Sequence, residues 1–406
     1  MTYLPWILVL VFLGILAEST KSWALGSLFY MVLVVFIFAI RSIYRPSRLL
    51  DTRRRLTNSV VAVGQTTRVE VSLNWDRPIG MRWLMVHDTL PESCHTQSPC
   101  GHLFVAGTDT STSFSYRVSG LKRGYYCIGP LTISTGDFFG LTQTQFQQDD
   151  QQYLTVYPKV VPVPPLRIAS NRPLGEATSR KRIFEDPSRL LGVRDYTPGD
   201  PFSRIHWKTT ARTGRLATKM CESSTSVEVN ILLDLYYGDY PQREDEVELA
   251  FSTAASITSF LLLNKHVVGL QSNGYDGAWR HSQSPPQEAL CIKADKGEQQ
   301  HIKIMSALGR LEVASSPSLQ EYLTQIHSTL PWTSTTLLIT HFMTEECILA
   351  LEAFKRSGFE LAVVIVGEGQ YAEITRDRVA QVGIPVAMAP SEKALAYLEF
   401  WQPGRG

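Results

Sequence analysis

Two nearly uncharged apolar runs open the chain, Leu4 to Ala17 and Trp23 to Ile40, separated only by Glu18-Ser-Thr-Lys21-Ser. The second has about the length that a spanning helix needs, and Trp6, Trp23 and Tyr44 stand where interfacial aromatic side chains are expected. The first is short enough to be the apolar stretch of a signal peptide. However, no basic segment precedes it, no small-residue cleavage site follows it, and a second run begins at once. Together the runs predict a transmembrane helical hairpin over residues 1–46. Arg41, Arg45, Arg48, Arg53, Arg54 and Arg55 crowd the exit of the second run, whereas the connecting loop holds one lysine. The positive-inside rule then puts the remaining chain in the cytoplasm, anchored to the cytoplasmic membrane by two spans.

Most of the protein must fold outside the bilayer. Over 406 residues the mean hydropathy is only -0.05, with 44% hydrophobic and 19% charged residues, values that exclude both a disordered chain and a polytopic transporter. A chain this long holds several domains. Six cysteines without a CxxC pair make neither a disulfide scaffold nor a zinc site, and a Cys94–Cys100 bridge would require an oxidising compartment.

From about Asn58 the pattern is one of short alternating runs: Val60 to Val63, Arg68 to Leu73, Trp83 to His87, Thr112 to Val118, Tyr125 to Ile128, Leu131 to Ser134 and Tyr153 to Tyr157. Seven such strands, broken by glycines, predict an all-β sandwich over residues 47–160. Pro158 to Pro173 is proline-rich and reads as an extended connection. Residues 161–225 form a basic linker. From Val227 the pattern becomes α/β, with strands at Val227 to Leu235, Val267 to Gln271, Thr335 to Thr340, Glu360 to Val366 and Pro385 to Met388. Helices are expected at Glu244 to Asn264, Tyr322 to Leu330, Glu345 to Ser357 and Ser391 to Phe400, the last with Ser391 as N-cap. This alternation predicts a mainly parallel sheet covered on both sides over residues 226–406.

The net charge of +1 hides a division. Residues 56–160 hold seven basic and eight acidic side chains, residues 161–220 twelve and five, and residues 221–406 thirteen and twenty-three. The basic middle is expected to pack on the acidic domain or lie near anionic headgroups. No nucleic-acid partner is expected, because no zinc finger, RNA-recognition aromatic pair or GXXG loop accompanies the charge.

Within that middle, the run from Leu191 to Lys219 contains Arg194, Asp195, Tyr196, Gly199, Asp200, Arg204, Ile205, Trp207, Ala211 and Arg212, spaced R-D-Y-x-x-G-D-x-x-x-R-I-x-W-x-x-x-A-R. This pattern resembles the core motif of the bacterial domain-of-unknown-function family 58. Upstream, Arg123-Gly-Tyr-Tyr-Cys-Ile-Gly-Pro-Leu and Gly136-Asp-Phe-Phe-Gly-Leu141 are similar to two further elements of that family, with Phe138 where proline is common. The resemblance implies two N-terminal spans in the bacterial inner membrane, a β-domain, and a C-terminal domain similar to von Willebrand factor A domains. It also implies a partner among MoxR-type AAA+ ATPases.

Pro198-Gly199-Asp200 has turn chemistry, and Arg194, Arg204, Lys208 and Arg212 bring cations near Asp195 and Asp200, with Ile205 and Trp207 as an apolar anchor. Arginine forks satisfy carboxylates bidentately, so a structural clamp of the linker on the acidic domain is the first expectation and a docking surface the second. A hydrolytic site built from Asp200 and His206 lacks a paired nucleophile.

Von Willebrand factor A domains often bind a divalent cation through D-x-S-x-S, a distant Thr and a later Asp. Here the aligned stretch is Asp234-Leu-Tyr236-Tyr-Gly238, and His341 follows Thr340 where the second Asp is expected. One carboxylate cannot supply the oxygen set of a hard cation, so Asp234 is the only remnant of such a site and no metal or other cofactor is expected. The chain also has no GxxxxGK[ST], GxGxxG, HExxH or GxSxG sequence. The expectation is a non-enzymatic, membrane-anchored interaction protein, with a metal-dependent adhesion-type domain as the alternative and an enzyme acting on an envelope component as the third reading.

Overall fold

The structure, a computed structural model, describes residues 4–44, 49–76, 80–96, 98–107, 109–137, 143–165, 184–196, 205–224, 228–237, 244–281, 289–313, 317–327, 330–331 and 334–401. Two compact units are present: residues 1–159 with 308–311, and residues 160–307 with 312–406.

The first unit begins with helices α1 (Leu4–Thr20) and α2 (Trp23–Tyr44). They pack closely at Gly14, where an added Cβ would lie 3.3 Å from the Phe29 ring. Their other faces leave Phe12, Ile15, Tyr30, Met31 and Ile37 exposed. Eleven strands follow: β1 (Leu49–Leu56), β2 (Val60–Ala62), β3 (Thr66–Trp75), β4 (Gly80–Asp88), β5 (Cys94–Thr96), β6 (Gly101–Gly107), β7 (Ser111–Gly120), β8 (Gly124–Ile128), β9 (Leu131–Asp137), β10 (Gln143–Gln148) and β11 (Gln152–Tyr157). They form sheets ordered β1-β3-β7-β5, β10-β9-β4-β6 and β2-β11-β8. The inward positions of all three, among them Val69, Val71, Leu84, Val86, Tyr116, Ile133 and Leu154, share one core.

All seven strands expected here are present. Of the four others, β5 is short and β1 and β10 carry arginine or glutamine in place of apolar alternation, whereas β6 holds an unbroken apolar run, Leu103 to Ala106, with both faces apolar. β1 is instructive, because it reads as a charged run, Asp51-Thr-Arg-Arg-Arg. Arg53 and Arg55 face water, but Arg54 points into the core, where its Nε and Nη2 donate to Asp88 Oδ2 and Oδ1 at 3.0 and 2.7 Å. Its Nη1 donates to the carbonyl oxygens of Ile128 and Asp150, and the Tyr116 hydroxyl donates to Asp88 Oδ2 at 2.5 Å. Arg54 is therefore a core residue and does not count among the charges at the exit of the second helix. Cys94 and Cys100 are both free thiols.

In the second unit, the segment expected to be a linker has regular structure. β12 (Phe184–Asp195) pairs antiparallel with β13 (Ala217–Ser224), and the short helix α3 (Trp207–Thr213) lies between them. Its basic, polar sequence gave no strand signal because two paired strands outside a larger sheet need no apolar alternation.

The α/β part contains β14 (Glu228–Leu233), α4 (Glu244–Leu263), β15 (Val267–Ser272), β16 (Tyr275–Asp276), β17 (Leu290–Asp295), α5 (Glu298–Arg310), β18 (Leu311–Glu312), α6 (Leu319–Ile326), β19 (Thr335–Thr340), α7 (Glu345–Arg356), β20 (Glu360–Val366), α8 (Gln370–Gln381) and β21 (Val386–Ala389). Its six-stranded sheet runs β17-β15-β14-β19-β20-β21. All neighbours are parallel except the edge pair β15–β17. β14, β19 and β20 are buried almost throughout, which is why they read as continuous apolar runs. Leu232, Leu338, Val363 and Ile365 share a core cluster with α6, α7 and α8, while α4 packs on the opposite face.

α4 is the only described helix long and apolar enough to cross a membrane, and it is mostly buried, as the central helix of a folded domain is. The helix expected at Tyr322 to Leu330 starts earlier, because Ser318 and Glu321 form a capping box. The terminal helix is only a 3₁₀ segment, Glu392–Tyr397, and Ser391 makes no side-chain capping bond. α5 and α8 were not expected: α8 shows weak apolar periodicity, whereas α5 carries Ile304, Met305, Ala307 and Leu308 at helical spacing on its buried face.

Candidate functional site

In an open α/β sheet, ligands bind outside the carboxyl ends of the strands where the strand order reverses. Here that point lies between β14 and β19, and Asp234 and His341 immediately follow those two strands. Asp234 is only 3% exposed. Its Oδ1 accepts from the Tyr236 N–H at 3.1 Å and from Asn273 Nδ2 at 2.7 Å, and its Oδ2 accepts from the Thr340 hydroxyl at 2.9 Å. Asn273 also accepts from the Leu235 N–H and donates to the Pro317 carbonyl, at 2.8 and 3.1 Å. The carboxylate thus ties the ends of β14, β15 and β19 together. Burial pushes its pKa from 3.8 up to about 6, against the pull of these three donors.

This donor set does not fit a divalent cation. Each partner of Asp234 presents a hydrogen, so a metal ion would have to displace an amide, a hydroxyl and a backbone N–H before finding one carboxylate. Among the described residues, no three His, Cys, Asp or Glu side chains converge elsewhere. Tyr236 is exposed, while Tyr237 stacks on His341 with ring centroids 3.8 Å apart. Burial lowers the His341 pKa from 6.5 to about 4, so the ring is neutral at pH 7. Asn273, which holds the carboxylate, was missed from sequence; the only available signal was Ser272-Asn273-Gly274, a turn at a strand's carboxyl end.

Only part of the motif lies among the described residues. Gly199, Asp200 and Arg204 lie outside the described residues, as does the side chain of Arg194. The backbones of Arg194 and Asp195 belong to β12, opposite Thr218 and Ala217, and the Tyr196 N–H donates to the Leu216 carbonyl. Ile205 is buried and bridges to Thr218. His206 is the N-cap of α3: its Nδ1 accepts from the Thr209 N–H at 3.2 Å, and its own N–H donates to the Ala217 carbonyl. Gly214 ends the helix at φ 69°, a left-handed conformation that glycine adopts without strain. Thr210 Oγ1 accepts from the Ala217 N–H, so the threonine side of α3 faces β13.

Trp207 is not an anchor. It is 66% exposed and shares the outer face of α3 with exposed Lys208, Ala211 and Arg212. Among the described residues, Lys208 and Arg212 form no ion pair. His206 Nδ1 also lies 2.8 Å from the Thr209 hydroxyl oxygen, so the ring is held against the first turn of the helix that it caps.

The chain therefore belongs to a class with two apolar N-terminal helices, a strand-rich region, and an α/β region whose mixed sheet has its switch point closed by protein donors. Residues 192–372, which include most of the motif, match the family described as Protein of unknown function DUF58. "Uncharacterized protein YeaD" of Bacillus subtilis (strain 168) is 27% identical over 278 residues, covering 65% of this chain and 68% of that protein. Among solved structures, a von Willebrand factor type A protein from Catenulispora acidiphila aligns with 18% identity and a TM-score of 0.29, over 45% of this chain and 42% of that one. The CARDB domain of the PF1109 protein from Pyrococcus furiosus aligns with 12% identity and a TM-score of 0.19, over 27% of this chain and 93% of that one. The present chain thus spans under half of the first of these structures.

Proposed function

We propose that this chain is a non-enzymatic, membrane-anchored interaction protein that works with a MoxR-type AAA+ ATPase in assembly or maturation at the cell envelope. The observation that carries this reading is the outer face of α3. The motif uses Ile205, His206 and the threonines to fix the helix, and leaves Trp207, Lys208 and Arg212 in water. An exposed Trp beside cationic side chains is the composition of an interface hot spot for an acidic, partly apolar surface. α1 and α2 anchor the chain as a two-span hairpin, with the soluble parts in the cytoplasm. Their exposed Phe, Ile, Met and Tyr side chains support this, because water would not stabilise them.

The test is a titration of the full chain, in lipid nanodiscs, with the purified MoxR-type ATPase of the same bacterium. A Trp207→Ala, Arg212→Ala double variant with an unchanged melting midpoint should bind at least about tenfold more weakly, since hot-spot truncations cost about 2 kcal/mol or more. Equal affinity would remove α3 as the docking element, and absence of binding by the parent chain would refute the partnership.

A further inference from the structure

The first unit has two very different outer faces. Strand alternation directs side chains from β1, β3 and β7 outward on one side, and there Asp51, Arg53, Arg68 and Glu70 form ion pairs in water. On the outer face of the β10-β9-β4-β6 sheet, the described positions include no Asp, Glu, Lys or Arg. Trp83 pairs with Val105 and Met85 with Leu103 across β4 and β6. Leu84, Val86 and Phe104 point the other way, into the core. Met85 is 47%, Leu103 56% and Val105 54% exposed. Next to them lie Thr132 and Ser134 of β9, then the glutamines of β10.

The stripe is graded along the strands. Trp83 and Val105 lie nearest the Gly80–Gly107 end, and His87 opposite Gly101 lies at the far end. The Gly80 end is also the tethered end. Leu49, the first residue of β1, pairs with Trp75, the last of β3, and only residues 45–48 separate Leu49 from Tyr44 at the end of α2. Five extended residue steps reach at most about 17 Å. The apolar end of the stripe is therefore held close to the end of an apolar helix.

We infer that this face lies on the bilayer that receives α1 and α2, with Trp83, Met85, Leu103 and Val105 at the headgroup boundary and the hydroxyl and amide side chains against headgroups. The inference rests on the anchoring proposed above. An interfacial surface buries its apolar side only about 5–10 Å deep, which suits single side chains projecting from a sheet. With no fixed charge among the described positions of the face, contact does not depend on anionic lipid and does not weaken with salt, unlike a polybasic patch.

The experiment uses the full chain reconstituted in phosphatidylcholine vesicles, with dansylalanine introduced by stop-codon suppression at Phe12, Leu103 or Arg68 in turn. Nitroxide lipids quench at acyl or headgroup depth. The expected result is loss of emission at position 12 with the deep nitroxide and at position 103 with the shallow one, unchanged in 1 M salt, with no loss at position 68. A Met85→Gln, Val105→Thr pair added to the position-103 probe should abolish its quenching. If position 12 is quenched and position 103 is as wet as position 68, the face does not touch lipid and the inference fails while anchoring stands. If position 12 is unquenched, anchoring itself fails. If position 103 is blue-shifted yet unquenched by lipid, another protein surface covers the face and the inference is overturned.

Discussion

Asp234→Asn isolates the buried carboxylate at the switch point by its pH dependence. In the folded chain this carboxyl titrates at about 6 and in the unfolded chain at about 3.8. Between these values the folded state binds the extra proton, so this group stabilises the fold increasingly as pH falls and loses that contribution as pH rises through 6. The interval corresponds to about 3 kcal/mol, of which about 2–3 kcal/mol falls between pH 7 and pH 4. His341 acts oppositely. Its folded pKa of about 4 lies below 6.5, so the unfolded state takes the proton first and stability declines by a similar amount over the same range. In the parent chain the two largely cancel.

Asparagine fits at 234 without orphaning a donor. Its Oδ1 accepts from Tyr236 and Asn273, while Thr340 turns its proton to the Phe342 carbonyl, 3.1 Å away, and accepts from the new amide. The variant should therefore lose about 2–3 kcal/mol relative to the parent between pH 7 and pH 4, or about 5–10 °C in melting midpoint for a unit of this size. Melts of the full chain in detergent at each pH measure this, and His341→Phe should give the opposite slope. If both variants run parallel to the parent across pH 4–8, the carboxyl and the imidazole do not titrate as their burial requires.

Arg54→Met leaves the Asp88 carboxylate buried without its fork, and should destabilise the first unit by about 3–5 kcal/mol, read as an early transition in urea. His206→Ala removes the α3 cap and should cost about 1 kcal/mol locally, seen as faster amide exchange at Thr209 and Thr210 with the six-stranded sheet unchanged. Millimolar Mg²⁺ or Mn²⁺ should leave the melting midpoint of the second unit unmoved. A rise would mean that the folded state binds the ion and that the Asp234 donors give way.

The α/β strands were legible because burial on both faces forces unbroken apolar sequence, as in Thr335–Thr340. β1 was not, since burial of Arg54 depends on Asp88 and Tyr116, far apart in the chain. At the switch point, the missing serines were legible, but Asn273, hydrogen-bonded to Asp234 from the end of the next strand, left only a turn signal. The motif was recognisable as a pattern, while its division into inward and outward residues was not. Ile205 and Trp207 are both apolar, and only the short helix between two strands separates the buried one from the exposed one.

The pairing of β2 with β11 has a kinetic consequence. These strands run parallel and join almost the first strand of the unit to its last, Val60–Ala62 against Thr155–Tyr157. Closing so long a loop costs about 4 kcal/mol of entropy before the pair contributes anything, the feature that makes β-rich topologies slow to fold. During synthesis the first unit can close only after Tyr157 has left the ribosome, and until then its strand edges stay open beside any membrane-inserted hairpin. A ribosome stalled before Tyr157 should display a protease-sensitive β-region, and one stalled well beyond it a resistant one.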